Sequence, residues 1–400
     1  MRESYSHRIR EQKGIIVPEA VIVAARRTPI GTAGKGSLRD TDAFDLAERI
    51  VSAVAADVAA LGNTAEIDDV ILGEGLYGGG VIARHAAITS GLRTVPGLAN
   101  NRHCAAGLSA VQSAAGSIRA GMDSLVLAGG VNSASTSPKS RFRVGADEWI
   151  DPWMPATHPD EPDAPNRDMS ITVGWNSAKA AGISREEMDA WALRSHQRAI
   201  AAIDEGRFVD EIVPIKTPHG LFSVDEHPRR TTTAEKLAAL NPLHPEIDGF
   251  SITAGNACGA NDAAALLAIA SSELGLPALA TVRSWANVGV EPAQTGLSPV
   301  TAIPKALARA GLSLDDVDLF EINEAFAANC VACVKLLEID PEKVNVSGSG
   351  CSLGHPVAAT GARMLVTLVH ELRRRGGGIG VAAMCAGGGM GSATVIEVAG

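Results

Sequence analysis

Apolar residues fall in two alternating rhythms along this 400-residue chain. The run AVIVAAR (20 to 26) is short and unbroken, as in a buried strand. The DAFDLAERIVSAVAADVA run that follows sets Phe44, Ala47, Val51, Val54 and Val58 on one helical face, with Asp40 or Thr41 placed to cap it. VILGEG predicts a second strand and SLVLAGG a third.

The same order returns late in the chain. Residues 55 to 79 line up with residues 304 to 327 as helix, glycine stop, acidic turn, strand and polar loop. The helix expected from Cys104 to Ala120 and its strand LVLAGG are echoed by a helix near Ala358 to Arg374 and GVAAMCAGG. A duplicated α/β unit accounts for both matches. Between the copies, 134 to 260 carries the proline, tryptophan and charge clusters and one clear helix, opened by Ser184 with Glu187 three positions on as a capping box. It reads as an insertion building a lid or substrate platform, so the chain divides into 18–133 plus 261–282, an inserted 134–260, and 283–400.

Composition narrows the function. With 46% hydrophobic and 20% charged residues the chain can bury a large core, and 42 glycines with 4% aromatics suit close packing of helices on sheets. A net charge of -10, with no basic stripe, argues against nucleic acid. Apolar runs are interrupted too often to span a membrane. The opening MRESYSHRIREQKG lacks the apolar stretch of an export signal and reads as a frayed extension. Six scattered cysteines then read as free thiols, and the cytoplasm is the expected compartment. Cys330 and Cys333 form a lone C-x-x-C on a predicted buried helix, read as apolar filling with no metal.

Four groups could carry chemistry. Cys104 is expected in the first turn of a helix, where unpaired N–H groups favour a thiolate, although a free cysteine is also a common core residue. His355 stands in a glycine-flanked turn with Pro356 at the expected helix start, where an imidazole could take a thiol proton. Cys385 leads into Gly387, Gly388, Gly389 and Gly391, whose exposed N–H groups could hold an oxyanion. Asn323 and Glu324 follow a predicted strand, where ligands gather in parallel sheets; equally, they could cap and open the next helix.

Taken in order, NRHCAAGL, AGGVNS, GISREEMDAWALRSH, TAGNACGANDAAA, NEAF, GHPVAATGAR and CAGGGMG make the chain resemble the thiolases, from Val21 to its end. The resemblance implies a five-layer αβαβα fold with an inserted loop domain, forming a homodimer or homotetramer. It implies reversible acyl transfer between acyl-CoA molecules in fatty acid metabolism, with coenzyme A as substrate or product and no separate cofactor. Carried over, Cys104 is the acyl-accepting nucleophile, His355 activates it and helps hold the thioester oxygen, Asn323 anchors an oxyanion-hole water, and Cys385 is the acid and base. The N–H groups of Cys104 and Gly387 form the second oxyanion hole. Arg229, in DEHPRR, is placed near the nucleotide end of CoA, Met169 and Cys258 at the substrate, and Ala325 and Phe326 beside the pantetheine channel.

Several positions depart from the family pattern. Cys258 replaces a serine, Asn132 an acid, Ala134 a methionine, Asp168 a histidine and Thr295 a methionine. These changes fall on the pocket and point to an acyl group longer or more branched than acetyl. A decarboxylating condensing enzyme of similar fold is the neighbouring reading, set back by Cys385 in CAGGGMG. A non-catalytic CoA-binding homologue is set back by the presence of all four reactive groups.

Overall fold

The computed structural model describes residues 17–62, 64–75, 81–153 and 155–400. The N-terminal MRESYSHRIREQKG stretch and residues 76–79 of the repeat match lie outside them. In the first half, β1 (Ala20–Arg27) leads to α1 (Ala43–Ala60), β2 (Asp69–Gly73), α2 (Ile82–Thr89), β3 (Gly97–Asn100), α3 (Ala106–Arg119) and β4 (Leu125–Ser133). The cap of α1 is Asp42, whose side chain takes the Asp45 N–H at 2.8 Å, rather than Asp40 or Thr41. Leu46, Ala47, Ile50, Val51, Val54 and Val58 form its buried face, while Phe44 sits half-buried, edge-on to His85.

After the insertion, β5 (Asn261–Ser271) completes the first half, buried along its whole length. The second half runs β6 (Ala280–Gly289), α4 (Ser298–Ala310), β7 (Leu319–Ile322), α5 (Ala327–Leu337), α6 (Thr360–Arg374), β8 (Gly378–Ala386) and β9 (Met390–Val398). The strand orders repeat. In the first half β2 is parallel to β4, which pairs antiparallel with β5 and β5 with β1; in the second, β7 is parallel to β8, which pairs antiparallel with β9 and β9 with β6. The sheets are therefore mixed. β1 and β6 join them through the register pairs Val21 with Thr281 and Ile22 with Ala280.

Three apolar cores separate the layers. One lies under α1 and α2 and one under α4 and α5; between the sheets a third is filled from α3 (Leu108, Val111, Ile118) and α6 (Leu365, Val366, Val369). The result is a five-layer αβαβα arrangement. The two central helices come together at their N-terminal ends. A Cβ on Gly107 would lie 2.6 Å from the Ala358 carbonyl oxygen, and one on Gly361 would lie 2.6 Å from the Leu108 nitrogen, so glycine is needed at both contacts.

The insertion holds more than one helix. The helix Arg185–Asp204 carries the predicted capping box, with Ser184 Oγ taking the Glu187 N–H at 3.2 Å and Glu187 returning a bond of 2.7 Å. Beside it are the hairpin strands Ser140–Arg143 and Trp149–Trp153, a π turn at Ser170–Trp175 continuing into a helix at Asn176–Ala181, a small hairpin at 215–222, and a short helix at Ala234–Ala238. A buried cluster ties the insertion to β1. Arg27 donates to Glu211 at 2.5 Å and to both oxygens of Asp225 at 2.8 Å. Among the described residues no helix is long and apolar enough to cross a membrane.

Candidate active site

The duplication brings Cys104 and His355 together. Each lies on the chain entering one of the central helices, and those helix ends meet at Gly107 and Gly361. Cys385 arrives from the end of β8, and Asn323 follows β7 directly, its N–H bonded to the Ala383 carbonyl at 3.0 Å. Parallel pairing of β7 and β8 thus puts these polar residues at one edge.

A cavity of about 310 Å³ opens there, lined by Cys104, Cys385, His355, Gly387 and, around them, Met169, Cys258, Ala325 and Phe326. Asn132, Ala134, Val173, Gly259, Ala260, Asn261 and Val357 complete the wall. Asn323 stands behind this surface, fully buried, with Nδ2 at 3.4 Å from His355 Nε2. Its Oδ1 is buried without a hydrogen-bond partner in the protein. Arg229 lies elsewhere, in an adjoining cavity of about 40 Å³ with His196 and His227; Cys258 and Gly259 border both. A larger cleft of about 460 Å³ near Asn100, Gln112 and Asn287 contains none of the four reactive candidates.

Three local expectations differ from the structure. Helix α3 begins at Ala106, so Cys104 precedes it and does not sit in its first turn. Burial at the cavity wall pushes the thiol up to about 11 in spite of opposing hydrogen bonds from the N–H groups of Gly387 and of Cys104 itself. The resting group is a thiol. Likewise α6 begins at Thr360, four residues after Pro356, which lies in the preceding turn and lends its carbonyl to the Ala359 and Thr360 N–H groups. Asn323 does not cap α5 either. That helix starts at Ala327 behind Phe326, whose N–H meets Asn329 Oδ1 at 2.9 Å.

The state of His355 follows from its surroundings. Burial, with the Arg363 charge adding to it, drives the imidazole down to about 3, so it is neutral near pH 7. Thr360 Oγ1 lies 2.7 Å from Nδ1 and 2.9 Å from the Pro356 carbonyl. A carbonyl can only accept, so the hydroxyl donates to Pro356 and accepts from His355 Nδ1–H. That assignment leaves Nε2 unprotonated, its lone pair accepting only the long contact from Asn323 Nδ2–H at 3.4 Å. The backbone N–H of His355 is fixed at 3.0 Å on Asn261 Oδ1; Asn261 is itself anchored on the Gly31 carbonyl at 3.0 Å and receives Asn132 Nδ2 on its own carbonyl at 2.9 Å.

Burial also sets the other thiols. It holds Cys385 well above the usual thiol range, with the nearby Cys104 adding to the shift, and pushes Cys258 up to about 12. Glu324 is buried and fully engaged, by Trp191 Nε1 at 2.9 Å, Ser195 Oγ at 2.6 Å, Asn345 Nδ2 at 2.9 Å and the Cys351 N–H at 3.1 Å. It braces the loop between Asn323 and Phe326 and opens no helix. Cys330 and Cys333 are buried in the core on α5. Among the described residues no three His, Cys, Asp or Glu side chains converge as metal ligands. Thr360, Asn261 and Glu324 were present in the motifs GHPVAATGAR, TAGNACGANDAAA and NEAF, but their positioning roles emerge only from the contacts.

Residues 20–273 match the family model "Thiolase, N-terminal domain" and residues 276–398 match "Thiolase, C-terminal domain". The chain is similar to acetyl-CoA acetyltransferase of Escherichia coli K12, 43% identical with 94% of this chain and 98% of that protein covered. It is 42% identical to the peroxisomal 3-ketoacyl-CoA thiolase A of Rattus norvegicus, over 96% of this chain and 89% of the other. Among solved structures, human mitochondrial 3-ketoacyl-CoA thiolase in complex with CoA superposes with a TM-score of 0.86 at 36% identity, covering 96% and 98% of the two chains.

Proposed function

Because this chain belongs to the thiolase family and is a CoA-dependent acyltransferase, we propose that it transfers acyl groups reversibly between CoA thioesters through a thioester on Cys104. The observation that carries the reading is the shared cavity: two thiols 281 positions apart in sequence, Cys104 and Cys385, line it together with His355.

His355 Nε2 takes the Cys104 proton as the sulfur attacks a thioester carbonyl, and the imidazolium returns that proton to the departing CoA sulfur. While protonated, Nε2–H can donate to the thioester oxygen, and the unpaired Asn323 Oδ1 suits the holding of a water beside it. In the second half-reaction Cys385 passes its own proton to His355 Nε2 and, as a thiolate, removes an α-proton from another acyl-CoA. The carbanion attacks the acyl carbon on Cys104, and the Cys104 sulfur leaves, taking the proton held by His355. Thiolysis reverses these bonds, with Cys385 giving its proton to the enolate; the upward shift of this thiol supports that acid role. The N–H groups of Cys104 and Gly387, both directed at the Cys104 sulfur, would stabilise the tetrahedral oxyanion, each by about 3 kcal/mol.

Arg229 is assigned to the nucleotide end of CoA, and Cys258, Met169, Ala325 and Phe326 to the pantetheine and acyl parts, in keeping with their cavities. The division into 18–133 with 261–282, an inserted 134–260 and 283–400 accords with the repeated strand orders. Six free cysteines agree with a reducing compartment such as the cytoplasm. Assembly as a homodimer or homotetramer and a part in fatty acid breakdown complete the proposal. Its test is CoA-dependent loss of the acetoacetyl-CoA enolate absorbance, with longer 3-ketoacyl-CoA substrates in parallel. Wild-type turnover abolished by Cys104→Ala is expected; equal rates in the two proteins would overturn it.

A further inference from the structure

Asp168 and His244 stand outside the cavity and take no part in the chemistry above, yet they form an ion pair of 2.8 Å between His244 Nε2 and Asp168 Oδ2. The other imidazole nitrogen meets Glu246 at 2.7 Å, and these partners raise the His244 titration, the Glu246 bond foremost. The His244 ring lies edge-on to buried Phe250 at 5.0 Å, and Phe250 packs against Trp175 at 5.3 Å.

The second oxygen of Asp168 acts on the chain that follows. Oδ1 takes the Ser170 N–H at 3.0 Å and the Ser170 hydroxyl at 2.6 Å, opening the Ser170–Trp175 turn. Thr172 N–H reaches the Asp168 carbonyl at 3.1 Å. Between the two anchored residues sits Met169, which lines the cavity, as does Val173 one turn later. The far end of the turn cannot slide, because a Cβ on Gly174 would already lie 3.0 Å from the Phe326 ring and from Ile252. Met169 reaches across to Gly387 in the same cavity: its Sδ lies 4.0 Å from where a Cβ on Gly387 would project.

We propose that the Asp168–His244 pair is a positioning device that fixes Met169 as the wall of the acyl site and so restricts how large an acyl group Cys104 accepts. This rests on the acyl-transfer reading above. Methionine is flexible, with three rotatable bonds and a polarisable sulfur, so it bounds a pocket sharply only when its backbone is held. Asp168 holds that backbone with one oxygen, and its other oxygen is held by His244 from a different segment of the insertion.

The test is thiolysis kinetics over a series of 3-ketoacyl-CoA substrates, from acetoacetyl-CoA upward in chain length. Asp168→Asn keeps the cap on Ser170 and loses the charge; His244→Leu keeps Asp168 and loses its partner; His244→Lys keeps a cation. Each of the first two should lower the preference for the shortest over the longest substrate about tenfold, mainly through KM. Combined, they should cost no more than either alone, and His244→Lys should restore most of the preference. An active wild type whose chain-length profile is unmoved by the variants, or moved equally at every length, overturns this proposal alone. A wild type without turnover or acyl adduct overturns the acyl-transfer reading and this proposal with it.

Discussion

Thr360 Oγ1 lies 2.7 Å from His355 Nδ1, and because the same hydroxyl gives its proton to the Pro356 carbonyl, it fixes which nitrogen of the imidazole is free. Thr360→Val preserves shape while removing that acceptor, leaving Nδ1–H unpaired in a buried site. The orientation of the base then rests on packing alone. The expected loss is about ten- to a hundredfold in kcat with KM little changed, and Thr360→Ser should recover most of it. A Val variant with wild-type kcat would show that the hydroxyl does not orient the base.

The two thiols should separate by function. Cys385→Ser retains Cys104, His355 and both N–H donors, so incubation with acetyl-CoA should add one acetyl group on Cys104, read by intact mass. Carbon–carbon bond formation and cleavage should fail. Cys104→Ala should acquire no adduct at all. An unacylated Cys385→Ser protein would count against this division.

The sequence made the duplication legible because each copy repeats one strand–helix–strand rhythm, and the buried faces of α1 and β5 obey it. The insertion was harder. Its turns at Ser170–Trp175 and Ala234–Ala238 are short and held by side chains such as Asp168 and Thr233, not by a long apolar stripe. At the site, Cys104, His355 and Cys385 stood out by type and glycine setting. The state of Cys104 did not: residue order suggested a stabilised thiolate, but burial outweighs a helix that starts two residues later. Thr360 and Glu324 act through partners that only folding supplies.

That reversal has a kinetic signature. With the thiol at about 11 and the imidazole at about 3, neither is ionised near pH 7, so no resting thiolate–imidazolium pair forms. Alkylation of Cys104 by iodoacetamide, followed by mass in the free enzyme, should accelerate about tenfold per pH unit from pH 7 to about 10. A rate already level below pH 8 would reveal a thiolate ground state and refute this assignment.

Buried neutral histidines also predict how the fold meets acid. His196 and His227 are each pushed down to about 4, foremost by burial, and His355 to about 3. His196 Nδ1 accepts the Arg229 N–H at 3.1 Å, a bond a protonated ring cannot make. In the unfolded chain these rings bind protons near pH 6.5, so between about pH 4 and 6.5 the unfolded state holds more protons and stability must rise with pH. Stability is thus fullest above pH 6.5 and is lost as pH falls, at about 1–2 kcal/mol per histidine by pH 5. Urea unfolding at pH 7 and pH 5 should give a lower midpoint in acid, and His196→Asn, which retains an acceptor without a titrating ring, should narrow the difference. An unchanged gap in that variant would mean that His196 is not one of the groups whose protonation drives acid unfolding.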